Sequence, residues 1–174
     1  MSDLLQRVIA AHGGLARWRG LTTVQATIVT GGALWGMKGL VQDPAPRRMT
    51  VWLQEERASV MPYGAPDQRT AFTPQRIAIE KTDGTIVAER LQPRDSFSGH
   101  QQMTPWDPLH RAYFNGYALW TYLTTPFLLA LPGVEVREVD PFVEEKEVWH
   151  RLRARDPQRG SGFLFRRRPD APAP

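Results

Sequence analysis

Hydrophobic residues recur at helical spacing at the start of the chain. In residues 3–12, apolar side chains return every three or four positions, which predicts an amphipathic helix. Asp3 with Gln6 forms a capping-box-like start for this helix, and Gly13-Gly14 ends it. Residues 15–18 are predicted to add a short helical turn.

From residue 22 onward apolar and polar positions alternate, and this period of two predicts extended strands. Asp83-Gly84 lies between two such segments and predicts a tight hairpin turn. Residues 62–74 are predicted to be mainly loop, with Phe72 as the exception. The predicted strands cover residues 22–29, 33–40, 49–54 with a continuation at 57–61, 77–79, 86–91, 134–139 and 148–154.

The longest apolar stretch, residues 104–131, predicts a central helix. Asp107 is expected to cap its N-terminus, Pro108 suits the first helical position, and Pro126 kinks or ends the helix. Apolar side chains surround most of the helix, so we expect it to be buried or enclosed. Helices and antiparallel strands without an alternating strand–helix rhythm predict an α+β fold, in which one bent antiparallel sheet is wrapped around the central helix.

The composition excludes several kinds of chemistry and partner. The 174 residues include no Cys, which rules out disulfides, thiolate catalysis and Cys-ligated metals. Residues 151–174 hold seven Arg and two Asp, a net charge that exceeds the +4 of the whole chain. The remaining residues are therefore nearly neutral, and no nucleic-acid partner is predicted. No signal peptide and no transmembrane segment are predicted, so we expect a cytoplasmic location.

A resemblance to known proteins is carried by the segments AHGGLARWRGLTTVQA, GGALWGMKG and TPWDPLHRAYFNGYALWTYLTTPFLLALPG. They resemble a group of bacterial proteins of unassigned function and, more distantly and mainly in layout, the outer-membrane lipoprotein-sorting (Lol-type) carriers. The resemblance covers residues 3 to about 155. It implies a half-barrel, a strongly bent antiparallel sheet over helices, with an apolar cavity that takes lipid acyl chains in the carriers.

Compared with that group, the chain is expected to be truncated at its C-terminus. Further strands follow the position of Leu152 in the group, whereas here a sequence rich in Arg, Gly and Pro follows, as a frameshift would produce. Residues 1–155 are therefore predicted to form a single, incomplete half-barrel domain, and residues 156–174 an irregular basic tail. The sheet edge exposed after the last hairpin predicts a dimer through that edge.

Candidate catalytic residues are few. Asp107 and His110 are three positions apart and could act as an acid–base pair, but helix capping explains the same pair. Ser96 and His100 lie close in sequence without the strand-to-helix elbow of a hydrolase. One carboxylate and one imidazole make a poor metal site. No catalytic residue, metal or cofactor is therefore assigned.

A line of mixed aromatic and polar residues along the central helix is the better candidate for a site. His110, Phe114, Tyr117 and Thr121 follow at spacings of four, three and four, and core packing or a ligand cavity would each explain them. Trp35 and Trp52 are expected to face them from the sheet, together with Met37 and Phe72.

The sequence thus predicts non-enzymatic binding of an apolar ligand, a lipid or an acyl chain, in a cavity between the sheet and the central helix. One alternative is a hydrolase-type or metal-dependent enzyme that uses His110 or His100. A second alternative is a truncated copy without activity.

Overall fold

The computed structural model describes residues 1–156 and 161–167, and the chain divides into two compact units. One unit is Leu21–Leu123, and the other combines Met1–Gly20 with Thr124–Pro174. The single domain expected over residues 1–155 stays a prediction.

The unit Leu21–Leu123 contains a six-stranded antiparallel sheet in which each strand pairs with the next one in the sequence. The sheet is open, with its first and last strands at the edges. The α+β class and the antiparallel sheet are confirmed. The strands are β1 (Thr23–Ile28), β2 (Arg47–Trp52), β3 (Arg57–Met61), β4 (Gln68–Thr73), β5 (Arg76–Lys81) and β6 (Ile86–Leu91).

The predicted hairpin between β5 and β6 is confirmed. The Asp83 carboxylate accepts a hydrogen bond of 2.8 Å from the Thr85 N–H, and Gly84 has a φ of +92°, which suits a residue without a side chain. Ile77 and Ile79 point into the core, as the alternation predicted. The turn residues and the alternation of apolar and polar positions therefore suffice to predict this hairpin.

Residues 33–40 were predicted to be a strand, and this prediction is wrong. Residues Ala33–Met37 form the short helix α3, flanked by Gly32 and Gly39 at positive φ values of 122° and 69°. These two glycines bend the chain at both ends, and Ala, Leu and Met between them favour a helix. The Trp35 side chain, which belongs to this helix, is buried.

The loop prediction for residues 62–74 is also wrong in part, because it contains β4. This strand pairs with β5 over its whole length. Thr70 looks polar in the sequence but is buried, and its hydroxyl accepts a 2.9 Å hydrogen bond from the Val60 N–H. A buried threonine whose hydroxyl is paired behaves as a core residue.

The central helix α4 (Pro108–Thr124) begins at Pro108, as predicted. The Asp107 carboxylate accepts the His110 N–H at 2.8 Å, which is the expected N-cap. Further along, the indole Nε1 of Trp120 donates to the backbone carbonyls of Trp52 and Glu55, both at 2.9 Å. The helix therefore lies against one face of the six-stranded sheet.

In the second unit, the helices α1 (Asp3–Ala11) and α2 (Gly14–Arg19) join β7 (Glu135–Glu144), β8 (Glu147–Asp156) and β9 (Ser161–Arg167), three antiparallel strands. The Trp18 ring stacks on Phe127 at 4.1 Å. The cap of α1 is Ser2, whose hydroxyl accepts the Leu5 N–H, and Asp3 lies inside the first turn. The buried core consists of Leu4, Leu5, Ile9, Phe127, Leu128, Leu129, Leu152 and Ala154.

The predicted irregular tail, residues 156–174, falls partly outside the described residues. Within it, Ser161–Arg167 is a strand that pairs with β8, so β9 lies along the edge that was expected to be exposed. The dimer through a sheet edge stays a prediction. Among the described residues, no helix is both long and apolar enough to span a bilayer.

Candidate aromatic ligand pocket

A pocket of about 280 Å³ lies beside α4 within the unit Leu21–Leu123. Its wall comes from three segments: the 3-10 helix Pro93–Phe97, the loop before α4, and α4 itself. Five of the lining side chains are aromatic, and one is an arginine. The lining residues are Arg94, Phe97, Trp106, Tyr113, Phe114 and Tyr117.

Local sequence explains how these segments are held. Pro93 starts the 3-10 helix, and the Ser96 hydroxyl donates to the Pro93 carbonyl at 2.6 Å. The Trp106 N–H donates to the Lys38 carbonyl at 2.9 Å, which ties the loop before α4 to the end of α3. Pocket residues on α4 are one, three or four positions apart, so they lie on one side of the helix.

The Phe97 ring lies at the centre of the aromatic wall. It makes an edge-to-face contact with Trp106 at 5.4 Å and a tilted contact with Tyr113 at 5.7 Å. Trp106 contacts Phe114 at 5.2 Å, and the Tyr113 and Tyr117 rings are parallel at 6.5 Å. These offset and edge-to-face contacts are the favoured geometries of aromatic pairs, so the wall is well packed.

A second layer, behind the wall, carries positive charge. Trp35 makes an edge-to-face contact with Phe114, and the Arg111 guanidinium lies 4.9 Å from the Trp35 ring centroid. The Lys38 side chain is buried. Its Nζ lies 5.1 Å from the Trp106 ring centroid and donates to the Gln101 carbonyl at 2.9 Å. Both cations therefore contact aromatic faces, a favourable cation–π arrangement.

Two histidines border the same cluster. The His100 and His110 rings are 5.1 Å apart, and both contact Phe97. His110 is buried; its Nδ1 is 2.9 Å from an Asp107 carboxylate oxygen, and its Nε2 is 3.4 Å from the Ser96 carbonyl. Burial lowers the pKa of His100, and the nearby His110 and Lys38 lower it further. The neutral form of His100 is therefore favoured.

Asp107 combines capping with an ion pair. Its second oxygen accepts from Arg90 at 2.6 Å. Burial raises the pKa of Asp107, but hydrogen bonds from the Arg90 side chain and the His110 N–H outweigh burial, and the pKa is lowered. The carboxylate is thus charged at neutral pH, and its two oxygens already accept hydrogen bonds from Arg90 and from the His110 N–H.

The arrangement does not supply an obvious reaction. The Ser96 hydroxyl donates to a backbone carbonyl and not to a histidine. In the described part of the chain, no group of three or more His, Cys, Asp and Glu residues could hold a metal ion. Nε1 of Trp35, Nε1 of Trp106 and Nδ1 of His100 are buried without a hydrogen-bond partner in that same part.

Of the predicted site residues, the structure brings Phe114 and Tyr117 into the pocket. Trp35 lies behind Phe114 on α3, and His110 lies behind Phe97. The buried Thr121 hydroxyl donates to the Tyr117 carbonyl at 2.9 Å, inside the helix.

Trp52 does not line the pocket. It ends β2, where the Arg57 guanidinium lies 4.1 Å from its ring centroid. The predicted cavity was between the sheet and the helix, but Phe72 packs against α4 on that side, and the pocket lies between α4 and the segment 93–106.

Sequence reasoning missed Arg94, Phe97, Trp106 and Tyr113. The first two lie in residues 92–103, a segment rich in Pro, Ser and Gly for which no helix or strand was predicted. A signal was present, because Phe97 is a large aromatic in a polar segment, where it needs a partner surface, and Trp106 precedes the predicted start of the central helix at Pro108.

Comparisons of the chain with protein-family models, with curated proteins and with solved structures each found no match. The resemblance to the lipoprotein carriers therefore stays a prediction.

Proposed function

We propose that this protein binds a small apolar ligand in the aromatic pocket and does not transform it. The observation that carries the proposal is the pocket wall, in which five of six lining side chains are aromatic. Concave sites lined by aromatic side chains with a few polar groups are typical of small-molecule binding. Burial of an apolar ligand against these rings would drive the association.

The pocket volume limits the size of the ligand. At roughly 30 Å³ for each water molecule, 280 Å³ corresponds to about nine waters. The pocket volume is slightly below the usual range of roughly 300–1,000 Å³ for small-molecule sites. A single alkyl chain of about eight to ten heavy atoms is comparable in size to this pocket.

The architecture is compatible with the carrier-like half-barrel. An open antiparallel sheet of six strands has α4 against one face. We propose that this sheet bends around α4, as in the lipoprotein carriers that the sequence resembles. The pocket is on the side of α4 that faces the segment 93–106, so ligand binding does not require the sheet to close.

A second candidate is a hydrolase-type or metal-dependent enzyme that uses His110 and His100, favoured by the 5.1 Å distance between their rings. Binding is the better-supported function because both nitrogens of His110 already have polar neighbours. Hydrolysis of 4-nitrophenyl octanoate by the wild type, lost in a His110→Gln variant, would favour the enzyme. A truncated copy without activity would neither bind nor hydrolyse.

Titration calorimetry with 1-octanol tests the binding proposal. Tyr117→Ser removes a ring from the wall and is expected to weaken binding about tenfold, since one large aromatic contact is lost. Tyr122→Ser is the matched control, because Tyr122 lies on the same helix with 70% of its surface exposed. Equal affinities of both variants, or no binding by the wild type, would contradict the proposal.

A further inference from the structure

The β7–β8 hairpin of the second unit carries two pairs of like charges, of opposite sign at its two ends. Near the turn, Glu144 of β7 lies opposite Glu147 of β8, and we call this pair the glutamate row. Further from the turn, Arg137 lies opposite Arg153, and we call this pair the arginine row. The two rows are six residues apart along β8, which corresponds to about 20 Å.

Both rows lie on the same face of the hairpin, and this face points away from the core of the unit. On β8 the residues of the rows have odd numbers and alternate with Leu152 and Ala154, which are buried in the core cluster. On β7 an irregularity between Val139 and Phe142 shifts the alternation by one residue. This shift keeps the β7 members of both rows on the face that they share with their partners on β8.

Like charges directly opposite each other destabilise an antiparallel pair. Arg137 and Arg153 are both exposed, and the salt bridges among the described residues involve other arginines. Glu144 is exposed as well. The hairpin therefore presents a concentrated positive charge at one end of this face and a concentrated negative charge at the other.

The middle of the face, between the two rows, is less polar. Phe142 lies opposite Trp149 beside the glutamate row, and Val139 lies opposite Arg151 beside the arginine row. All four side chains are half-buried, and the Arg151 guanidinium lies 5.8 Å from the Phe142 ring centroid. The face thus combines an aromatic centre with charged ends, as interfaces with an apolar centre and a polar rim do.

We infer that this face binds the same face of a second copy of the chain. A two-fold axis that crosses the middle of the face at right angles to the strands places the glutamate row of each copy against the arginine row of the other. Both charge contacts are then formed at once, because a two-fold interface uses the same surface twice. The aromatic centres of the two copies meet at the axis, and the charges fix the register of the contact.

A single-stranded nucleic acid is the main competing occupant, because arginines and aromatic rings on a sheet bind phosphates and stacked bases. The charge of the hairpin does not favour it. Residues 135–156 contain seven acidic and five basic residues, and the glutamate row borders the aromatic centre. A polyanion would be repelled at that end, whereas a second copy complements both ends.

The size of the face sets the strength of the dimer. Each of the two strands has ten residues, so the face is about 33 Å long and about 10 Å wide. A standard interface buries about 800 Å² on each partner, which is more than this face supplies. We therefore expect a weak dimer that depends strongly on salt.

Sedimentation equilibrium of the full chain measures this self-association. The dimer fraction is expected to rise with protein concentration at about 0.05 M salt and to fall at about 0.5 M salt, where exposed charges are screened. Arg137→Glu and Glu144→Arg are each expected to weaken the dimer about tenfold, because each substitution places like charges across the interface.

An equimolar mixture of Arg137→Glu and Glu144→Arg is expected to associate about as tightly as the wild type. In the mixed dimer, each new glutamate faces an arginine row and each new arginine faces a glutamate row, or their substituted positions carry opposite charges. A chain with both substitutions is expected to dimerise again for the same reason. A folding defect in either variant would not be rescued in this way.

Arg7→Glu is the matched control, since Arg7 is exposed on α1 and is not part of the face. This variant is expected to dimerise like the wild type. A wild type that stays monomeric at low salt, or a mixture of the two charge variants that does not regain the dimer, would overturn the inference. A dimer that both charge variants retain would also overturn it and would favour the predicted sheet-edge dimer.

Fluorescence anisotropy with a labelled oligothymidylate tests the competing occupant. The wild type is expected to bind this probe no better than Arg137→Glu does. A monomeric wild type that binds the oligonucleotide, with loss of binding in Arg137→Glu, would replace the second copy by a nucleic acid. These outcomes are independent of octanol binding in the aromatic pocket.

Discussion

The Phe72 side chain lies directly against Gly116 of the central helix. A Cβ on residue 116 would be 2.7 Å from the Phe72 Cβ, closer than non-bonded carbon atoms approach. Phe72 is fully buried on β4, so the sheet and α4 meet at a residue that has no side chain. Because the contact involves the Phe72 Cβ, rotation of the ring does not relieve it.

Gly116→Ala is therefore expected to destabilise the protein by about 1–3 kcal/mol, the usual effect of overpacking a core. Urea unfolding measures the change. Gly36→Ala is the control: it is also a helical glycine, but an added Cβ there has nothing within 4 Å. That substitution is expected to be neutral or to stabilise by up to about 1 kcal/mol. Equal stabilities of the two variants would show that the Phe72 contact yields easily.

Trp120→Phe is expected to lower the free energy of unfolding by about 1–3 kcal/mol, because the backbone carbonyls of Trp52 and Glu55 lose their common donor. Chemical denaturation of the purified variant measures this loss. Tyr122→Phe on the same helix is exposed and is expected to leave stability unchanged. A fully stable Trp120→Phe variant would mean that water replaces the indole donor at both carbonyls.

Substitutions of Asp107 separate capping from ion pairing. Asp107→Ala loses both and is expected to destabilise by about 1 kcal/mol, whereas Asp107→Asn keeps a capping oxygen and loses only the partly exposed pair with Arg90. Thermal unfolding should therefore rank the wild type above Asn and Asn above Ala. Equal melting temperatures of Asp107→Asn and Asp107→Ala would show that the loss of the Asp107 charge explains the whole effect.

The pH dependence of Asp107 follows from its lowered pKa. A carboxylate with a depressed folded-state pKa contributes stability above its unfolded pKa of 3.8, and this contribution is lost as the pH falls through the lower folded value. The advantage of the wild type over Asp107→Asn should therefore be constant from pH 7 to pH 5, decline below about pH 3.8 and disappear once the pH is below the folded-state pKa. Melting temperatures of both proteins across this range provide the test.

Tyr63 is expected to set the alkaline limit of the fold. Burial raises its pKa to about 12, although Arg111 and Arg47 act in the opposite direction, and its hydroxyl donates to the Pro108 carbonyl at 2.7 Å. The folded state retains this proton longer than the unfolded state, so its contribution to stability is complete below pH 10 and is lost as the pH rises towards 12.

Absorbance at 295 nm measures tyrosine ionisation directly. The wild type should have one tyrosine that ionises near pH 12, and Tyr63→Phe should lack that step. The variant should also be about 1 kcal/mol less stable at neutral pH, because the Pro108 carbonyl loses its donor. A wild-type titration complete by pH 11 would contradict the assignment.

His100 is expected to make the protein sensitive to mild acid. Its folded-state pKa is lower than 6.5, so the unfolded state binds the proton more readily and stability falls as the pH drops below about 6.5. His100→Gln should lose less stability than the wild type between pH 7.5 and pH 5. Parallel pH profiles for the two proteins would remove His100 as the cause.

Elements defined by short-range signals could be predicted from the sequence. The start of α4 depends on Asp107 and Pro108, and the β5–β6 hairpin depends on Asp83 and Gly84. In both cases the side chain bonds to backbone only two or three residues away. The neighbouring sequence therefore contains all the information that the element needs.

The predictions for residues 33–40 and 62–74 failed where local composition pointed the other way. Trp35 and Met37 in α3 are two positions apart, a spacing that also occurs on one face of a strand, and β4 includes a threonine whose hydroxyl finds its partner on β3. In such segments the choice depends on which distant backbone is available to pair, and this information is not local.

The sequence by itself determined the α+β class, the antiparallel pairing and the central helix, because capping, turn chemistry and hydrophobic period act over a few residues. Only the tertiary structure decided where the pocket lies. Phe72 packs against Gly116 on one side of α4, while Phe97 and Trp106 return from the preceding segment to the other side. Packing between residues far apart in the chain selects which aromatic side chains fill the core and which line the pocket.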